Sequence, residues 1–131
     1  MKTNVIITGA NTYDNYADLE QVCSDYIAHL IFDGMSTKDE ITILSGMMQG
    51  AEKLGAQFAR NNGLYCVTFA GDWQIDAATK VPNQNEQMVR FSVVGNTHGV
   101  MLAFWDGLCN STKSMIALAE KHKLELFITL Y

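Results

Sequence analysis

The sequence predicts an α/β fold, a single domain built on a parallel five-stranded sheet with helices on both faces. Three observations predict it. Five short apolar runs rich in Val, Ile, Leu, Phe and Tyr recur along the 131 residues. They are near-continuous rather than alternating, as strands buried on both faces require. Between successive runs lie Gly-containing turns and stretches of helical period. Strand–helix alternation carried through to a fifth strand is the signature of a Rossmann-like parallel sheet. The order of the strands does not follow from the sequence.

The first run, "NVIITG", is followed by Leu19, Val22, Cys23, Tyr26, Ile27 and Leu30, which fall on one face of a helix. "ITILSG" leads into a second helix, where Ala51, Leu54, Gly55, Phe58 and Ala59 repeat that spacing and small residues permit close packing on a sheet. After "LYCVTFAG" comes Pro82, the single proline, and then a weaker helical pattern in "NQNEQMVRFSVV". The most apolar run, "VMLAFWDG", precedes "NSTKSMIALAEKHK", with Met115, Leu118 and Ala119 inward and Glu120, Lys121 and Lys123 outward. "LELFITLY" supplies the fifth strand.

Hydrophobic residues make up 48% and charged residues 18%, the composition of a folded globular chain of one domain, residues 1–131. The net charge of −5, with nine basic residues spread thinly, disfavours nucleic acid as a partner. Cys23, Cys66 and Cys109 form no CxxC pair and are expected to be reduced thiols of a cytoplasmic protein. "MKTNVIITG" is too short for a signal peptide, and no apolar stretch approaches the roughly 18–20 residues that cross a bilayer. His29 and His122 read as helix-surface residues and His98 as a loop residue. No histidine pair has metal-ligand spacing, so no metal is expected. Neither Ser45, Cys109 nor Ser111 has a histidine placed near it, so no nucleophile–base couple is assigned and no catalytic residue is named.

In a parallel sheet the carboxyl ends of the strands share one edge, where ligands bind. Here that edge receives "GANTYD", "SGMMQGAE", "AGDW" and "WDGLCNST". Each carries glycine and a small polar or acidic side chain, which a purely structural edge does not require. "SGMMQGAE" sets Ser45, Gly46 and Gly50 at the start of the second helix. "CNSTK" sets Ser111 and Thr112 at the start of the fourth. Glycines let a ligand approach the backbone, and amides at a helix N-terminus attract a phosphate. Each turn also reads as an ordinary N-cap, contributing on the order of 1 kcal/mol. The spacing matches neither a Walker A loop nor GxGxxG. Tyr13, Trp73 and Trp105 flank the edge and offer stacking surfaces, although Trp105 reads more simply as closing the core.

Together these segments resemble the YpsA/YspA-related branch of the SLOG superfamily, which includes the DprA/Smf and LOG proteins. The matching residues are Gly9, Tyr13, Asp14, Ser45, Gly46, Gly50, Ala51, Asp72, Trp73, Asn85, Met88, Trp105, Asp106, Gly107 and Thr112. The departures fall where "GAN", with Asn11, replaces a small-Arg pair, Glu52 stands for Asp and Gln84 for Arg. Cys109 and Ser111 occupy Ser and Gly positions. The lost arginines argue against a highly charged polyphosphate.

The resemblance implies a pocket for a nucleotide or nucleotide-derived ligand, ADP-ribose-like compounds included, with a sensing role rather than turnover. The expected ligand-binding residues are Gly9, Asn11, Ser45, Gly46, Gly50, Glu52, Asp72, Trp73, Asn85, Trp105, Asp106, Gly107, Ser111 and Thr112. The alternative is a hydrolase, an N-glycosidase or phosphohydrolase related to the LOG phosphoribohydrolases. Their glutamate position is Met115 here, and a thioether cannot stabilise developing positive charge as a carboxylate does. Relatives are often oligomeric, and Met47, Met48, Phe91 and Val93 are more apolar than a solvated surface needs, so a homo-oligomer is expected.

Overall fold

The computed structural model describes residues 1–69 and 84–131. The strands are β1 (Thr3–Gly9), β2 (Ile41–Ser45), β3 (Tyr65–Thr68), β4 (His98–Trp105) and β5 (Glu125–Leu130). The helices are α1 (Tyr16–Phe32), α2 (Ala51–Asn61), α3 (Gln84–Ser92) and α4 (Asn110–Lys121). All pairings are parallel, in the order β3-β2-β1-β4-β5. The fold is a single Rossmann-like α/β domain. Among the described residues no helix is long and apolar enough to cross a membrane.

Burial on both faces explains why the central runs show no alternation. Val5, Ile7, Ile43, Val100, Leu102 and Phe104 pack against Leu19, Cys23 and Leu30 of α1 and Phe58 of α2. The intervening Ile6, Leu44, Met101 and Ala103 turn to the other face, against Met88 and Val89 of α3 and Met115, Ile116 and Ala119 of α4. Side chains alternate along a strand, but helices cover both sides, so apolar residues point to both faces. Each fully buried Leu or Ile contributes roughly 1.5–3 kcal/mol. Gly55 lets α2 settle onto β1, since a Cβ there would lie 2.8 Å from Ile7 Cβ.

Two expectations need correction. Burial on both faces holds for β1, β2 and β4 but fails for the outer strands. Tyr65 and Val67 of β3 and Phe127, Ile128 and Leu130 of β5 are exposed, since among the described residues each outer strand has a neighbour on one side alone. His98 is not a loop residue: it opens β4, in register with Thr3, and its Nε2 lies 2.7 Å from Glu125 Oε2. That is the amino edge of the sheet. His29, paired with Asp33, lies in the last turn of α1, and half-buried His122 ends α4. Helices returning between parallel strands end near the amino edge, so none of the histidines serves the carboxyl edge.

Candidate functional site

The chain runs outward from β1 to β3, then crosses to β4 and β5, so the strand order reverses between β1 and β4. The carboxyl ends of those two strands therefore flank the place where ligands bind in such sheets. Gly9 and Phe104 are partners there. A Cβ on Gly9 would lie 2.6 Å from Phe104 O and 2.7 Å from Ala51 Cβ, so the ends of β1 and β4 and the start of α2 meet at this one glycine.

The loop after β1 turns inward at once. Tyr13 is only 4% exposed, its ring 5.2 Å from that of Phe104 and 4.8 Å from that of Tyr131. Its hydroxyl donates to Asp18 Oδ2 at 3.3 Å. Burial and the nearby Asp18 carboxylate push the phenol above its ordinary range. Tyr13 is thus a core residue filling the floor of the crevice, not a free stacking platform. Asn11 and Asp14 are exposed on either side of it.

The β2–α2 loop is braced internally. Ser45, fully buried, donates from Oγ to Glu52 O at 2.7 Å and accepts from Met47 N at 3.0 Å. Glu52, 5% exposed, accepts from Thr8 Oγ1 at 3.0 Å through one carboxylate oxygen and from Met48 N at 3.3 Å through the other. Desolvation raises its pKa, opposed by those two hydrogen bonds. Thr8 is missing from the sequence-based set. Its signal was a lone hydroxyl near the end of an apolar run, which needs a partner once buried. Gly50, at φ 94° and ψ −137°, is the N-cap of α2, and Ala51 N donates to Ala10 O at 3.4 Å. Part of the first turn of α2 is therefore already occupied by the chain, and Gly46 is buried beside it.

The β4–α4 loop is built differently. Half-buried Trp105 donates from Nε1 to Cys109 O at 3.0 Å, and its carbonyl accepts from Tyr131 N at 3.1 Å. Asp106, exposed, accepts from Leu108 N and Cys109 N, both at 2.8 Å, and these bonds hold its carboxyl below the ordinary carboxylate range. Gly107, at φ 86°, has none of the described residues within 4 Å of where a Cβ would sit. Ser111 is exposed, with Oγ 3.2 Å from Cys109 Sγ. Thr112 is fully buried, and among the described residues its Oγ1 has no oxygen or nitrogen partner. The hydroxyls of Ser111 and Thr112 favour the thiolate and hold the Cys109 pKa below its ordinary value. Cys109 occupies the N-cap position without a regular side-chain cap bond, so the expected Ser or Thr cap is not what starts this helix.

Of the expected residues, Gly9, Asn11, Ser45, Gly46, Gly50, Glu52, Trp105, Asp106, Gly107, Ser111 and Thr112 all lie at the carboxyl edge. Half-buried Asn85 lies in the first turn of α3. Asp72 and Trp73 fall outside the described residues. Among the described residues no group of three or more His, Cys, Asp or Glu side chains has the arrangement to hold a metal ion.

A parallel sheet whose order reverses beside β1, with glycine-bearing polar loops along one edge, defines a Rossmann-like ligand-binding class. The profile of the YspA, cpYpsA-related SLOG family (YAcAr) matches residues 3–75, more than half of the chain, and the chain belongs to that family. Membership suggests a nucleotide-related ligand-binding or processing role. No curated protein and no solved structure matches the chain.

Proposed function

We propose that the chain binds or senses a nucleotide or nucleotide-derived ligand at the carboxyl edge of the sheet, without turnover. The observation that carries this reading is the convergence of the β1–α1, β2–α2 and β4–α4 loops at the reversal of strand order, in a chain of this family. The first and third of these loops hold the accessible polar groups: Asn11 and Asp14 in one, Asp106 and Ser111 in the other. Met115 supports the absence of turnover. At the position where LOG relatives carry a glutamate, this side chain is 2% exposed and packs in the core between α4 and the sheet.

A ligand held by the native state alone stabilises it by mass action, roughly 2.7 kcal/mol at a hundredfold excess over Kd. For a domain of this size that raises Tm by on the order of 10 °C. Nucleoside mono- and diphosphates and ADP-ribose are the panel, read by thermal shift and calorimetry. Failure of the whole panel to move Tm or release heat would sink the proposal. Chromatographic loss of the ligand, abolished by changing Asp72, Asp106 or Glu52, would favour the hydrolase instead.

We also propose that the protein self-associates. Of the four apolar residues singled out, Met48 and Phe91 are exposed and Met47 and Val93 half-buried; β5 adds Ile128 and Leu130, and Tyr131 follows it. Beyond Glu125 that edge strand carries no charge to discourage pairing. Light scattering should give a multiple of 14.5 kDa; the monomer mass alone would contradict it.

A further inference from the structure

A groove of about 640 Å³ runs between the Asn11–Asp14 loop and the outer face of α2. Leu54 lies in its apolar part, and Lys53, Gln57 and Arg60 line the helix side. Those three stand at i, i+4 and i+7, one stripe of the helix. The two cations are separated by about 10 Å along the helix axis. Both are exposed, and neither forms an ion pair among the described residues. In a chain of net charge −5, two unpaired cations lining one groove run against the bulk charge. The opposite wall carries the exposed carboxylate of Asp14 and the exposed amide of Asn11.

The geometry points to capture, in this groove, of the diphosphate part of an ADP-ribose-class ligand. The class of ligand rests on the function proposed above; the site itself is new. The phosphates lie along α2, where Arg60 presents a planar fork suited to bidentate contact and Lys53 a compact charge. Gln57 between them donates from its amide. Asp14 repels phosphate and accepts hydrogen bonds from sugar hydroxyls, so it fixes which end of the ligand faces the loop. A bare phosphate chain lacks those hydroxyls and meets the carboxylate as a penalty.

Amide resonances of the full chain, titrated separately with inorganic pyrophosphate and with ADP-ribose, test this. Both probes should shift the amides of residues 11–14 and 53–60, ADP-ribose at the lower concentration. The surface substitutions Lys53→Ala and Arg60→Ala, combined, should weaken both at least tenfold while the rest of the amide spectrum stays native. Asp14→Asn should tighten pyrophosphate and weaken ADP-ribose. If ADP-ribose shifts residues 105–112 alone and the double variant binds it normally, the groove assignment is overturned while the nucleotide reading stands. If pyrophosphate shifts the groove and ADP-ribose shifts nothing, the ligand class is overturned, and the nucleotide reading stands or falls with the nucleoside mono- and diphosphates. Silence from both probes overturns the groove assignment, and the nucleotide reading falls with it only where the nucleoside phosphates are silent too.

Discussion

The two turns that look most alike in the sequence, "SGMMQGAE" and "WDGLCNST", are opposites in the structure. Both follow a strand, both carry glycine and hydroxyls, and both open a helix. The first is sealed against the chain. Ser45 and Glu52 spend their polar atoms on Met47, Met48, Thr8 and the Glu52 carbonyl, and Gly50 lies against the Ala10–Asn11 backbone. The second is open. Gly107 has no neighbour at its Cβ position among the described residues, Leu108 is 83% exposed, and Asp106 and Ser111 are exposed. One turn is architecture that locks two loops together, and the other is surface with room for a ligand. Glycine and serine near a helix start serve either end, so composition alone does not separate them.

The sharpest way to break this contrast is to add the same methyl group to each turn. Gly50→Ala combines a positive φ with a Cβ placed 2.3 Å from Ala10 O and 2.7 Å from Asn11 Cα. Backbone strain of about 1–3 kcal/mol and overpacking of similar size give a loss on the order of 3–5 kcal/mol. Gly107→Ala meets no neighbour among the described residues and incurs the left-handed backbone strain alone, about 1–2 kcal/mol. Denaturant melts of the two variants measure the difference; equal losses would remove the distinction.

Next in size is Glu52. Truncation by Glu52→Ala strands the buried donor Thr8 Oγ1 and the part-buried Met48 N and should cost about 2–3 kcal/mol in the same melts. Glu52→Gln keeps the shape, accepts from Met48 N and donates to Thr8, so its effect is on pH dependence. Burial raises the native carboxyl above its ordinary 4.5, so the unfolded chain releases its proton first. Native stability therefore falls as pH rises from about 4.5 through the raised value and then levels. That fall should vanish in Glu52→Gln. A wild-type profile that rises over the same interval contradicts a desolvated carboxylate.

The smallest effect concerns the thiols. Neighbouring Ser111 and Thr112 hydroxyls hold Cys109 below its ordinary value, whereas burial pushes Cys23 and Cys66 up. Iodoacetamide at neutral pH should label Cys109 first, as read by peptide mass spectrometry, and Ser111→Ala should slow it. Faster labelling of Cys66 would show that the open turn does not favour its thiolate.

Most of the fold was legible because it depends on local periodicity. All five strands and the helix faces of α1, α2 and α4 follow from apolar spacing along the chain. Exposure of β3 and β5 did not, since it depends on which strands end up outermost, and strand order is a long-range property. His98 escaped because "GNTH", whose last residue opens β4, reads as turn until pairing with Thr3 extends the strand. At the site the missing information was again partnership at a distance. Glu52 is committed by Thr8, Tyr13 by Phe104 and Tyr131, and Gly9 by the backbone of β4. Lys53, Gln57 and Arg60 carried a visible i, i+4, i+7 stripe, but only the loop facing them turns that stripe into a groove wall.

Amide hydrogen exchange with and without saturating ADP-ribose tests the edge site most directly. The nucleotide reading predicts slowed exchange at residues 11–14 and 105–112, with little change at 45–47, where Ser45 already closes the turn. Protection confined to the amino edge around His98 and Glu125, or none at all, would contradict it.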